Sequence, residues 1–414
     1  MNRRTFITTT AAASMATALS PSAAAARRPR VLLRNGWQSQ NIGDIAHYVG
    51  MMELFKRHDI EADVRFWTSN MDHGADELFR KYFPDVPFFS GGDQVAQAFE
   101  ECDFLLHGSG SGFVAHGDTR RWHEQTGKPF GVMGISLTGI NESIIDTLNQ
   151  ADFVYFRDGV SAARAEEHGV TTAVRGWGPD TAFGVVETRD DDRAEAFLAE
   201  HDLEEGRFMC VIPRFRWTPF WEVYEGREFD AGRHARNEER KDPDHAPHRE
   251  AIISIVRETG MKVLVTHEDQ TQIQLGREVL YEPLPDDVRQ HVVWRDHFWL
   301  PDEALAVYRR SAGLFGNEMH SPIMCIANGI PAVVGRWDEQ TDKGFMWRDI
   351  GLEDWLFTMD DEERVGQLPA TVLAIASDPQ AAAAKAAEAR AKVLERQRHQ
   401  FTTLAESLRA AVAG

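Results

Sequence analysis

The chain is poor in cysteine, in basic residues relative to acidic ones, and in long apolar runs. Only three cysteines, Cys102, Cys210 and Cys325, occur in 414 residues. They lie far apart within apolar runs, so no spacing suggests a disulfide framework or a redox pair, and buried thiols are expected. Acidic residues outnumber basic ones, 65 to 45, for a formal net charge of −20. That balance argues against nucleic acid or an anionic membrane as a partner, while leaving room for a small basic pocket. No stretch has the apolar length of a membrane span, and no repeat of solenoid period is found. No pair of residues has the spacing of a zinc site such as HExxH, so neither a metal nor a resident cofactor is expected.

What is present is ordinary globular material. Hydrophobic residues make up 43% and charged residues 27% of the chain, and the length suggests two domains. The amino terminus, "NRRTFITTTAAASMATALSPSAAAA", carries Arg3-Arg4, Phe6, a mildly apolar Ala/Thr run and small residues near Ala24 to Ala26. This is the layout of a twin-arginine export signal over residues 1–26, whose substrates cross the membrane folded. A periplasmic or extracellular location is therefore expected, and few cysteines fit folding before export.

From residue 29 onward short apolar runs alternate with amphipathic stretches. "RVLLRNG" (30–36), "ADVRFWT" (62–68), "CDFLLHGSGSG" (102–112), "PFGVMGIS" (129–136), "ADFVYFRD" (151–158) and "TTAVRGWGPD" (171–180) read as strands. "NIGDIAHYVGMMELFKRH" (41–58) reads as a helix with Ile45, Val49, Met52, Leu54 and Phe55 on one face. A second alternating block begins near "RFMCVIPRFRW" (207–217). The pattern predicts an α/β protein of two Rossmann-like domains, 29–187 and 206–375, facing across a cleft. A helix over 378–412 follows, on propensity. Residues 221–249 are polar and nearly aperiodic, so they are expected to form an exposed insertion or lid, with His234, His245 and His248 in solvated loop.

Ligands of open α/β sheets bind beyond the carboxyl ends of strands. There the first strand delivers Asn41, Gly43 and Asp44. Gly43 sits at a helix start, where free N–H groups favour an anion, and Asp44 is either part of that site or an acid favourable to the helix dipole. The third delivers Gly108, Ser109 and Gly110, a loop that lets backbone approach a substrate or merely makes a tight turn. It has neither the Lys of a P-loop nor the central Ser of a nucleophile elbow. In the second block Arg214 and Arg216 could clamp a carboxylate or phosphate, or form surface salt bridges. His267, Glu268 and Asp269 end one strand. Asn317, Glu318 and His320 end another, and Arg336 and Lys343 follow. Two strand ends bearing His with a carboxylate resemble acid/base equipment. The aromatic stretch "RFRWTPFWEVY" (214–224) suits stacking on sugar rings or packing in a core.

These segments resemble the polysaccharide pyruvyl transferase family over roughly residues 30–358. The likeness rests on "NIGDIAHYVG", "HGSGSGFV", "PFGVMGISL", "ADFVYFRDGVSAARAEEHGV", "GPDTAF", "MHSPIMCIANGIPAVV" and "DKGFMW" in that order. The resemblance implies a fold like the GT-B glycosyltransferases and transfer of a pyruvyl group from phosphoenolpyruvate, as a ketal, to a glycan sugar. It implies that His320 is the acid/base, that Arg214 or Arg216 is the second-domain anion clamp, and that Lys343 belongs to the donor site. Glu318 stands where the family pattern has Arg, which makes it a second candidate for catalysis. Donor contacts are then expected at Arg214, Arg216, Asn41, Gly43, Asp44 and Lys343, and substrate contacts at Gly108, Ser109, Gly110, His267 and Asn317. The alternatives are a GT-B-like sugar-active enzyme with another donor and a non-catalytic exported glycan-binding protein. The acceptor sugar and oligomeric state stay open.

Overall fold

A computed structural model describes residues 27–413, and the export-signal segment 1–26 lies outside them. Thirteen strands form two sheets in which every pairing is parallel. The first contains β1 (Arg30–Arg34), β2 (Asp63–Trp67), β3 (Phe88–Phe89), β4 (Phe104–His107), β5 (Phe130–Ile135), β6 (Phe153–Phe156) and β7 (Val174–Trp177), in the order 3-2-1-4-5-6-7. The second contains β8 (Phe208–Ile212), β9 (Lys262–Val265), β10 (Val292–Trp294), β11 (Gly313–Gly316), β12 (Ala332–Arg336) and β13 (Leu356–Thr358), in the order 10-9-8-11-12-13. Helices cover both faces of such sheets, so their central strands carry apolar residues without alternation. Strands β4, β5, β6, β8, β11 and β12 are accordingly buried throughout.

Strand order reverses between β1 and β4 in one sheet and between β8 and β11 in the other. Those two switch points are where the ends of neighbouring strands splay and leave a crevice. The helix Ile42–Arg57 leaves the first, with the Asn41 side chain accepting from the Gly43 N–H at 2.8 Å as its cap. The helix His320–Ala327 leaves the second. Between β11 and this helix the chain turns at Gly316, whose φ of +149° is open to glycine; a Cβ there would lie 2.2 Å from the Ile212 carbonyl oxygen.

A backbone seam joins the two halves beside the switch points. The Ile42 N–H donates to the Glu268 carbonyl at 2.9 Å, the Gln270 N–H donates to the Gln40 carbonyl at 3.2 Å, and Asn41 bridges Asp269. The helix Pro379–Ala413 returns to the first half. Its Arg396 donates to the Trp177 carbonyl at 2.6 Å, Thr403 bonds the Tyr155 hydroxyl at 2.8 Å, and Phe401 stacks on His58. Among the described residues no helix is long and apolar enough to cross a membrane.

The segment 221–249 is not an exposed loop. A short helix, Phe220–Val223, is followed by the 24-residue helix Ala231–Ser254, capped by Asp230 and containing Pro243 and Pro247. The prolines and charges hid the helical pattern, because the buried residues on this helix are largely polar: Asn237, Asp244, His245 and His248. His245 and His248 are core histidines rather than solvated ones. Burial pushes their pKa values down to about 4 and about 3, and His245 Nε2 accepts from the Arg214 N–H at 3.1 Å.

Candidate active site

The two switch points open onto one cleft of about 510 Å³ between the halves. Asn35, Asn41 and Asp44 line it from the first half; Arg214, Trp217, Phe220, Asp269, Glu318, His320 and Lys343 line it from the second. Of the expected donor residues, Asn41, Asp44, Arg214, Arg216 and Lys343 therefore meet at one place, with both expected catalytic residues.

His320 is fixed from the second half. Its Nδ1 lies 2.7 Å from Glu268 Oε1, while Glu268 Oε2 accepts the Ser321 N–H at 2.8 Å. One carboxyl thus orients the imidazole and caps the first turn of its helix, where negative charge is favourable. Because the Glu268 oxygen accepts, Nδ1 carries the proton and Nε2 is left with its lone pair. Burial, the His47 charge and the Lys343 charge hold the His320 pKa well below the ordinary imidazole value. Gly43 makes this approach possible, since a Cβ there would sit 2.1 Å from His320 Nδ1. The expected anion role for Gly43 is thereby replaced by a packing role: its N–H is taken by Asn41 and its α-carbon faces the imidazole.

Glu318 is locked in a network of its own. Arg214 Nε lies 3.1 Å from Oε1, Lys343 Nζ lies 3.5 Å from Oε2, and the Gln272 amide donates to Oε1 at 2.7 Å. Two cations and an amide thus hold its side chain in place. The cleft also holds two carboxyls, Asp44 and Asp269, which burial pushes up to about 6.

Several expected contact residues are taken up by partners within the protein or lie off the cleft. Arg216 is not a free clamp: it forks onto Asp244 at 2.7 and 2.9 Å and pairs with Glu339 and Asp360 at 2.7 Å each. Against the cost of burial, Asp244 and Asp360 raise its pKa. His267 points away from the cleft, with its ring beside Phe298 and Trp299, and burial holds its pKa well below the ordinary value. Gly108, Ser109 and Gly110 do not line the cleft. Gly108 packs against the Asn35 side chain, Ser109 is buried on Thr181 at 2.8 Å, and Gly110 extends the sheet towards Ile135. Asn317 is buried and its amide points at the Asp244 carbonyl, 3.4 Å away. Arg336 lies over the Phe345 ring and pairs with Asp338 rather than reaching across the cleft.

The fold also assembles residues that sequence spacing did not single out. His47 lies on the same helix as Asp44, three residues on, and its Nε2 stands 3.3 Å from Asp180 Oδ1. Arg157 Nη1 holds Asp180 Oδ2 at 3.1 Å. The His47 and His320 rings meet edge to face with centroids 4.8 Å apart. Asp180 and Arg157 sit in "GPDTAF" and "FRDGVS", segments prominent in the sequence, so their partnership was the missing information rather than their presence.

A model of the family described as polysaccharide pyruvyl transferase matches residues 41–339, most of the chain. The chain belongs to the polysaccharide pyruvyl transferase family. A search of curated proteins finds no match. Among solved structures, the chain is similar to HepE of Anabaena in complex with UDP and glucose, at 11% identity and TM-score 0.55 over 92% of this chain and 100% of that one. It is also similar to the UDP-GlcNAc 2-epimerase of Methanocaldococcus jannaschii (9%, 0.53, 83% and 92%) and to S. aureus MnaA bound to UDP (10%, 0.52, 82% and 86%). At these identities the likeness shows the fold: two Rossmann-like domains in the GT-B arrangement. A pyruvyl transferase-like, glycan-active enzyme is the function this membership supports.

Proposed function

We propose that the interdomain cleft transfers the pyruvyl group of phosphoenolpyruvate to two hydroxyls of a glycan sugar. The observation that carries this is the meeting of His320, oriented by Glu268, with Arg214 and Lys343 in the cleft of a family member. Arg214 and Lys343 bind the donor's carboxylate and phosphate, taking the anion in place of Glu318. His320 accepts a proton from an attacking sugar hydroxyl at Nε2, the nitrogen left free by the Glu268 bond. Nε2 is buried and faces His47 and Asp180 across the seam, so this step requires the seam to part. Two C–O bonds form at C2 of the donor and its bond to the phosphate oxygen breaks. Of the two hydroxyl protons, one ends on the new methyl group and the other on the departing phosphate. Trp217 and Phe220 offer aromatic faces to the acceptor ring. The Arg3-Arg4 segment supports export of the folded chain; retention of an Arg3→Lys/Arg4→Lys variant in the cytoplasm is its test.

One observation favours a second reading. Arg214 and Lys343 are both already paired with Glu318, which suits a sugar donor less anionic than phosphoenolpyruvate. Incubation with phosphoenolpyruvate and a panel of hexose polymers separates the two. Release of phosphate, matched by a ketal methyl resonance on the polymer, is expected. Sugar transfer to those polymers without phosphoenolpyruvate consumption favours the second reading.

A further inference from the structure

The group formed by His47, Asp180 and His320 is unlike the rest of the cleft. All three side chains are buried, and one donor atom from each lies within 4.8 Å of the others. His320 Nε2 has no hydrogen-bond partner and no access to solvent, and the buried His47 nitrogens make no well-formed hydrogen bond, only contacts to Asp180 at 3.3 Å and Asp44 at 3.9 Å. Buried imidazole nitrogens left without partners cost free energy unless something occupies the space between them. The three residues come from different segments: His47 from the first helix, Asp180 from the turn after β7, and His320 from the helix after β11.

We propose that His47, Asp180 and His320 bind a divalent transition-metal ion, zinc for example, and that the ion latches the two domains closed. Two imidazoles and one carboxylate oxygen suit zinc, cobalt or iron(II) rather than magnesium or calcium, which take oxygen ligands. A triangle of donors with edges of 4.8 Å has its centre about 2.8 Å from each corner, so a closure of less than about 1 Å per ligand reaches zinc bonding distances. The groups behind the donors are already placed. Glu268 holds Nδ1–H of His320 at 2.7 Å and leaves Nε2 for the ion, as carboxylates do behind metal-bound histidines. Arg157 holds Oδ2 of Asp180 at 3.1 Å, while Oδ1, which accepts the Ala182 N–H at 2.9 Å, keeps its other lone pair towards His47. Asp44 lies 3.9 Å from His47 Nδ1. The nearby acids Asp180, Asp44 and Glu268 outnumber the nearby cations Arg157 and Lys343, so a dication is favoured. His47 and Asp180 belong to the first domain and His320 to the second, so the bound ion bridges the seam at Asn41 and Asp269. On the reading that His320 Nε2 accepts the sugar proton, an occupied site and turnover exclude each other, and the metal is an inhibitor.

Cobalt(II) and zinc binding by the metal-stripped chain test this without any turnover. One equivalent is expected, with the visible bands of a four- or five-coordinate cobalt ion. Zinc is also expected to slow amide hydrogen exchange at Ile42 and Gln270. His47→Ala is expected to weaken binding about 100-fold or more, and Glu268→Gln about 10–100-fold. His47→Gln serves if the alanine variant does not fold. No cobalt bands in the folded wild-type chain overturn the proposal. So does binding that is unchanged in a folded His47 variant, which would belong to other histidines. Failure of phosphoenolpyruvate turnover by the metal-stripped chain, in a protein that still binds cobalt when it is added, would overturn the pyruvyl-transfer reading and leave the metal site standing.

Discussion

Replacing Asp269 by Asn should stabilise the protein, and only above acid pH. Asp269 is buried at 3% exposure in the cleft wall, and burial outweighs its bonds to Thr271 in pushing its carboxyl from 3.8 to about 6. In the folded chain the proton is therefore held more tightly than in the unfolded one. Below about pH 4 both states are protonated and the carboxyl costs nothing. As the pH rises, the unfolded state ionises first, and stability falls until the folded carboxyl has also ionised above about pH 6. The shift of about two units, at 1.4 kcal/mol each, puts the full cost near 3 kcal/mol. Asn keeps an oxygen that can accept the Thr271 N–H, now made at 2.8 Å, and carries no charge. With an unfolding entropy of about 2 cal/mol/K per residue, the gain corresponds to about 4 °C in melting temperature for a chain of this length. Differential scanning calorimetry of both proteins at pH 4 and pH 8 is the assay. The expected result is coincident melting at pH 4 and a higher melting temperature for the variant at pH 8. An equal gain at both values, or a loss at pH 8, would refute the argument that an ionised Asp269 is held at a cost.

The other expectations concern the cations, the imidazole and the seam. Glu318→Gln should tighten phosphoenolpyruvate binding about ten-fold by removing a repulsive charge from Arg214 and Lys343; titration calorimetry reads it, and weaker binding would show that Glu318 places those cations. Glu268→Gln should lower kcat about 10–100-fold with little change in KM, since it acts by orienting His320; a rise in KM alone would contradict that role. Arg216→Met leaves Asp244 buried with Arg240 as its remaining partner and should cost about 3–5 kcal/mol in urea unfolding. Gly43→Ala drives a methyl into His320 and should lower the melting temperature by several degrees while speeding exchange at Ile42.

Legibility followed periodicity. Most strands announced themselves as short apolar runs bounded by turns, and the helix at Ile42–Arg57 by its apolar face, whereas β3, β10 and β13, two or three residues long, did not. The helix Ala231–Ser254 did not, because its buried face is built from Asn237, Asp244, His245 and His248, and two prolines interrupt it. Polar residues buried by mutual pairing look like solvated ones in a sequence. The same limit shaped the site. His320, Glu318, Asp44, Arg214 and Lys343 lie at strand ends or just beyond, and sheet topology alone brings those ends together. Whether an end residue faces the cleft depends on which neighbour it finds: Arg216 found three carboxylates, and His267 found two aromatic rings. His47, Asp180 and Arg157 meet only across segments more than a hundred residues apart or through a side-chain angle, which no spacing encodes.

The most direct test of pyruvyl transfer at this cleft is a titration of the folded chain with phosphoenolpyruvate, followed by melting temperature, beside an Arg214→Ala variant. Saturable stabilisation of the wild-type chain at millimolar donor, lost or much weakened in the variant, is the predicted result. A wild-type chain that melts unchanged at saturating donor, or a variant stabilised as strongly as the wild type, would contradict it.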